Sequence, residues 1–334
     1  MRNIVKAGVM LATVALAATA CSSSGGSTTA GSTGTSSTAG TAGAVGSATY
    51  IFLPKSLNNP YWVDARKGME AEAAKLGVTA QFLGPDTDDA AKQVAIFESV
   101  LAKKPAGIAI SPNDPSSVTA IIALAREAGI PVIAWDGPVA NSKVLGYVGT
   151  DNVAAGEKEG EALASAIGEK GKVAVVIGNL GAPNLNQRLQ GLKKALAKYP
   201  GIQIVATQES HESVATAQSL AETLLQAHPD LAGFAGIGGS DLPGIAGALK
   251  SANLCGKTMA VGFDVVPQGI QGMKDGCVNA LVSQKPFGMT AQALQILVDF
   301  HNQKSTLAPN FNVDTGVEVV TPATLDKFLA SAPH

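Results

Sequence analysis

Two aspartates close apolar runs in this chain, Asp136 in PVIAWD and Asp264 in MAVGFD, and the other apolar runs lead into polar loops of the same character. YIFL runs into PKSLNNPYW (54–62), GIAI into SPND, VAVVIG into GNLGAPNLNQR, and GFAGI into GGSD. Amides, carboxylates and hydroxyls alternate there with aromatic rings, in a chain that is only 4% aromatic. Such loops suit a neutral, polyhydroxylated molecule, because each hydroxyl needs a donor and an acceptor and the C–H faces need flat apolar surface.

Bond-breaking chemistry finds less support. A serine hydrolase would place its nucleophile on a G-x-S-x-G elbow, which the sequence lacks. The four histidines, His211, His228, His301 and His334, are scattered, with neither H-E-x-x-H nor Cys/His spacing for zinc. SANLCGKT (251–258) departs from a P-loop at its first position and precedes a strand, so it reads as a turn. GFAGIGGSD has Asp241 where a dinucleotide fingerprint needs its third glycine. No catalytic residue, cofactor or metal is expected.

The elements that position these loops follow from periodicity. Short β-rich runs alternate with amphipathic segments, as where YIFLP precedes Trp62, Ala65, Met69, Ala73 and Leu76 at spacings of three and four. Repeated βα units predict parallel sheets covered on both faces. One series ends near Thr150-Asp151 and a second begins with a helix from Asn152, so the expected fold is α/β, two doubly wound parallel-sheet lobes. Further helices are expected over 186–198 and 215–227. In such sheets the functional loops lie beyond the carboxyl ends of the strands, which is where the polar stretches fall.

Arg2 and Lys6, an apolar run over 7–16 and small residues up to Ala20 read as a signal peptide over 1–20. The small residues before Cys21 and CSSSGG after it resemble a bacterial lipoprotein processing site, which implies lipidation of Cys21 and anchoring to the outer face of a membrane; simple secretion is the alternative. Residues 21–46 are Ser, Thr, Gly and Ala apart from Cys21 and Val45, and read as a flexible tether. A formal charge of −2 gives no electrostatic footprint for nucleic acid. Cys255 and Cys277 form an even pair in an exported chain and read as a disulfide or as two buried thiols.

LNNPYW, PVIAWD, VGTDNVAAG, LLQAHPD, VGFD and SQKP, in this order, resemble the ribose-binding branch of the periplasmic sugar-binding proteins, the solute-capturing subunits of ABC importers. The resemblance covers nearly everything after the tether. It implies a type 1 periplasmic binding fold, a monomer with lobes of 47–150 plus 285–313 and 151–284 plus 314–334, and a ligand clamped as the hinge closes. Asn59 is carried over as a hydrogen-bonding residue, Tyr61 and Trp62 as ring-stacking walls, Asp136 as an acceptor for sugar hydroxyls, and Phe263, Asp264 and Gln284 as the second lobe's ring, carboxylate and amide. The spacing of Trp62 also fits a core position, Asp264 also fits a helix cap before Pro267, and Gln284 also fits a structural hinge residue.

Departures from that pattern bear on the ligand. Gly137 stands where ribose binders carry one arginine, and Asn186 where they carry another, with Arg188 two residues on. An expected ring falls on Glu212 beside His211, and an expected asparagine falls on Gly238, ahead of Ser240 and Asp241. Lys55 is an addition, similar to a lysine of rhamnose-binding and autoinducer-sugar-binding relatives; a snorkelling surface lysine is the alternative. Two bidentate donors are gone, which turns the expectation from ribose toward another small sugar or a polyol. The expected partners are that ligand and an ABC permease. A sensor that presents its ligand to a membrane receptor is the rival reading.

Overall fold

The computed structural model describes residues 48–331, so the expected signal peptide, tether and Cys21 lie outside the described residues. The chain opens with β1 (Thr49–Leu53), α1 (Tyr61–Leu76), β2 (Thr79–Phe82), α2 (Ala90–Leu101), β3 (Gly107–Ile110), α3 (Pro115–Glu127), β4 (Val132–Trp135) and β5 (Gly146–Gly149). The rhythm restarts with α4 (Asn152–Ala166), β6 (Lys170–Ile177), α5 (Pro183–Leu196), β7 (Gly201–Glu209), α6 (Val214–Ala227), β8 (Leu231–Gly236), α7 (Asp241–Ser251) and β9 (Met259–Phe263). It closes with α8 (Pro267–Lys274), β10 (Ala280–Ser283), α9 (Pro286–His301), β11 (Phe311–Asp314), β12 (Glu318–Val320) and α10 (Leu325–Ser331).

Two sheets result, in the orders β2-β1-β3-β4-β5-β11 and β7-β6-β8-β9-β10-β12. Every pairing is parallel except that of β12 with β10, an antiparallel edge on the second sheet. The central strands GIAI and VIAW are buried along their whole length, and apolar runs of that kind need helices on both faces. The chain passes between the sheets between β5 and α4, between β10 and α9, and between β11 and β12, because α4 packs on α5 and the second sheet while α9 packs on α1 and the first.

Local signals at the helix starts hold the loops that precede them. Asp89, Asp114, Asp151 and Ser213 each accept a backbone N–H from the first turn of α2, α3, α4 and α6 respectively. Pro115, Pro183, Pro267 and Pro286 occupy first-turn positions where no donor is lost. Pro183 starts α5 three residues ahead of the start expected from the sequence. Before α8 the N-cap is Val266 with no side-chain cap, so Asp264 does not serve as one. Helices α4 and α5 meet backbone to backbone: a Cβ on Gly156 would collide with the Arg188 carbonyl, and one on Gly191 with that of Val153. Cys255 and Cys277 are joined as a disulfide with 4.1 Å between their Cα atoms.

Gln93 on α2 is fully buried and staples two strand-end loops together. Its Nε2 donates to the Pro54 and Ser111 carbonyls at 2.8 Å each, and its Oε1 accepts the Asn113 N–H at 2.9 Å. Gln93→Leu keeps the volume and strands those three backbone groups, at about 1–3 kcal/mol apiece. Urea unfolding should therefore show a loss of at least about 3 kcal/mol; a loss below about 1 kcal/mol would mean that the loops hold without the staple.

Candidate functional site

The strand-end loops of both sheets converge on one buried polar network. In the first lobe Asp136, just past β4, takes a left-handed backbone with φ 56°. Its Oδ1 accepts the Tyr61 hydroxyl at 2.9 Å, and its Oδ2 accepts the Ser111 hydroxyl at 2.8 Å and, more weakly, the Asn184 amide at 3.5 Å. The Lys55 ammonium lies 3.9 Å from the same Oδ2. A Cβ on Gly137, in the place of an expected arginine, would stand 3.1 Å from the Ser111 hydroxyl and 3.2 Å from the Pro112 Cδ, with the Lys55 Cε in ordinary contact at 3.6 Å. Lys55 is buried, not a snorkelling surface residue, and its ammonium brings cationic donors to the cleft.

The second lobe contributes Asn184, Glu212, Asp241, Asp264 and Gln284, all buried. Glu212 and Asp264 also sit in left-handed backbone, at φ 55° and 73°. Asp241 accepts the Ser210 hydroxyl and the Gly238 N–H, which turns it into the β8–α7 loop. Gln284 donates to Asp264 Oδ1 at 2.8 Å, while its carbonyl accepts Arg188 at 2.7 Å and the Thr150 hydroxyl at 2.9 Å. Arg188 also donates to Asn152 and to the Ile237 carbonyl and stacks over Phe263 at 4.2 Å. It braces the loops around the network from behind.

Besides the Asn184–Asp136 and Thr150–Gln284 contacts, further side-chain pairs join the lobes directly. Lys55 donates to Asn184 at 2.9 Å, Asn59 donates to Glu212 at 3.1 Å, and Asn179 donates to Asp88 at 2.7 Å. The lobes are thus closed on one another. Tyr61, Asp264 and Gln284 also line a groove of about 610 Å³ whose walls come from α1, α8, α9 and α10, within the volume range of small-molecule sites.

The structure relocates several expected site residues. Trp62 packs in the first lobe's core, edge-on to Trp135 at 5.3 Å and to Tyr61 at 4.8 Å, as its helical spacing allowed. Tyr61 keeps the cleft position through its hydroxyl. Asn186 is turned away, with its amide on the Leu180 and Ala182 carbonyls; Asn184, two residues or about 200° back around α5, holds the cleft side. Phe263 is wholly buried beneath Arg188. Asn184, Ser111, Thr150 and Gln93 were missed as individual residues, although the SPND and GNLGAPNLNQR loops that hold two of them were singled out.

Burial away from water pushes Glu212 up to about 8 and Asp241 and Asp264 to about 6. In the unfolded chain such groups ionise near pH 4. Between those values the folded state holds more protons than the unfolded one, so stability present at acid pH declines as pH rises toward 8. Glu212→Gln should flatten the decline between about pH 6 and 8 in ligand-free melts; an unchanged slope would show Glu212 already ionised there.

A family model described as "Periplasmic binding protein domain" matches residues 50–305. The D-allose-binding periplasmic protein of Escherichia coli (strain K12) is 30% identical over 283 residues, 81% of this chain and 91% of that protein. The ribose import binding protein RbsB of Salmonella typhimurium is 30% identical over 259 residues, 77% of this chain and 86% of that one. Among solved structures, an ABC transporter solute-binding protein from Burkholderia graminis, in complex with D-arabinose, superposes with a TM-score of 0.80 at 36% identity, covering 83% of this chain and 96% of that one. With a two-lobed α/β fold and a polar cleft at its strand ends, this chain belongs to the periplasmic binding protein family.

Proposed function

We propose that this protein captures a small sugar or sugar alcohol between its two lobes, outside the cytoplasm, and delivers it to the permease of an ABC importer. The observation that carries this reading is the cleft itself. Buried carboxylates and amides from both lobes meet at the strand ends of a fold whose relatives are named for binding allose, ribose and arabinose. Asp136, Asp264 and Glu212 offer acceptors, Lys55, Asn59 and Asn184 offer donors, and the edge of Tyr61 offers apolar surface. A hydroxyl both donates and accepts, so a polyhydroxylated molecule can exchange its own bonds for those that now join the lobes.

The reading includes no chemical step: binding stabilises the closed arrangement and release opens it. Cys21 is the proposed lipid anchor, with residues 21–46 as the tether and residues 1–20 removed on export. The protein is proposed to act as a monomer.

Asp136→Ala and Asp264→Ala test the cleft. The unsubstituted protein should melt at a higher temperature in the presence of one or more of D-allose, D-ribose, D-arabinose, D-glucose, D-galactose and xylitol. At a concentration ~100 times the dissociation constant the stabilisation is about 2.7 kcal/mol. Each substitution should remove that shift while leaving a cooperative melt. Shifts of full size in both variants would place binding elsewhere, and no shift with any compound would overturn the sugar reading.

A further inference from the structure

The groove that begins at Tyr61, Asp264 and Gln284 changes character as it leaves the cleft. Its inner end is polar: Tyr61 donates to Asp136, and Gln284 donates to Asp264. Its walls are apolar, with Val63 and Phe287 on the side of the first lobe and Val265, Ile270, Phe328 and Leu329 on the side of the second. The charged residues of the groove, Asp64, Lys67, Lys285 and Glu318, are all exposed and balance in sign, so its rim favours neither an anion nor a cation.

The two first-lobe walls have little part in holding their own lobe together. Val63, in the first turn of α1, is 56% exposed, and Phe287 is half-buried without belonging to any apolar cluster of either lobe among the described residues. Phe287 is nonetheless fixed in place, because α9 lies so close to α1 that a Cβ on Gly68 would collide with the Phe287 carbonyl. At about 610 Å³ the groove has the size of a small-molecule site, whereas a stable protein interface takes about 800 Å² of each partner. Three residues of its inner end belong to the polar cleft, so a group lying in the groove is continuous with whatever lies in the cleft.

We infer that the groove receives an apolar substituent of the ligand, so that the preferred ligand is a glycoside: a sugar in the cleft, carrying a short alkyl or aryl group through its glycosidic oxygen. The polar network takes the hydroxyls, and the apolar walls take the group that has none. Because the walls come from both lobes, the substituent adds to the contacts that hold the lobes closed. Each methylene buried there raises affinity about fourfold. The inference rests on the sugar-binding reading of the cleft and extends its ligand outward.

Calorimetric titration of the full mature chain tests it, with free D-glucose, D-galactose, D-ribose and D-allose against their methyl, butyl, hexyl and phenyl glycosides as both anomers, all below micelle-forming concentrations. For at least one sugar and anomer, the butyl or hexyl glycoside should bind roughly tenfold or more tightly than the methyl glycoside, as two fully buried methylenes imply. Val63→Arg, at an exposed position, should remove that gain and leave the affinity for the free sugar unchanged; Phe287→Ala should reduce the gain in the same way. Free sugars that bind while every glycoside binds more weakly, or an affinity that does not rise with chain length, overturns the inference and leaves sugar capture standing. A gain that survives both substitutions, or that 1-hexanol alone reproduces, places the alkyl group elsewhere and overturns it too. A dimer in sedimentation velocity that Val63→Arg disperses would give the groove to a second copy of the chain. No binding by any compound overturns both readings.

Discussion

A carboxylate removed from water is tolerated only where several donors converge on it, and Asp136 sits where they do. Three other segments reach it: Lys55 from the β1–α1 loop with Tyr61 at the start of α1, Ser111 from β3–α3, and Asn184 at the start of α5 from across the cleft. A hydrogen bond to a charged group contributes about 1.5–3 kcal/mol, so these contacts fix their loops as well as satisfying the charge. The positive φ of Asp136 is part of the same arrangement, since it turns the carboxylate out of the strand line and into the cleft. Tyr61 is held by its hydroxyl, and the next residue, Trp62, then faces the core around Trp135.

From this anchor the charge distribution follows. Lys55 stands beside Gly137, within ordinary contact of where a Cβ would be, and a lysine brings one compact charge where an arginine would bring a planar fork. The second lobe spends Arg188 on bracing its own loops and Gln284. The cleft is left rich in carboxylate, and burial holds part of that carboxylate protonated near neutral pH. The bonds that close the lobes use amides and a lysine against carbonyl and carboxylate oxygens, partners that a hydroxyl-bearing ligand can replace one for one. On the proposed function, closure and ligand recognition draw on the same side chains, and a ligand stabilises the closed form by whatever its contacts exceed those it displaces.

Much of this was legible in the residues. Apolar runs of four or five flanked by Asp-Pro or Ser-rich caps marked the strands and the helix starts, because burial on both faces and capping are local demands. The polar loops were legible for the same reason: residues that can neither extend a buried strand nor enter a helix collect at strand ends. Trp62 against Tyr61 and Asn186 against Asn184 were not. In each case the choice is one of helical phase, and a shift of one or two residues rotates a side chain by about 100° or 200°. Where α5 starts depends on Pro183, and only with that start known does Asn184 fall on the cleft side.

By itself the sequence determined the two βα series, the point near Thr150 where one gives way to the other, and which loops carry Asp136, Asp264 and Glu212. Those features depend on burial patterns and capping within a few residues. Only the tertiary structure decided which of these groups meet. The pairing of Asn59 with Glu212 spans 153 positions and that of Lys55 with Asn184 spans 129, and no local rule relates residues so far apart. It also decided which charges stay available, since a carboxylate or guanidinium is free or spent according to the partners that the packed lobes bring to it.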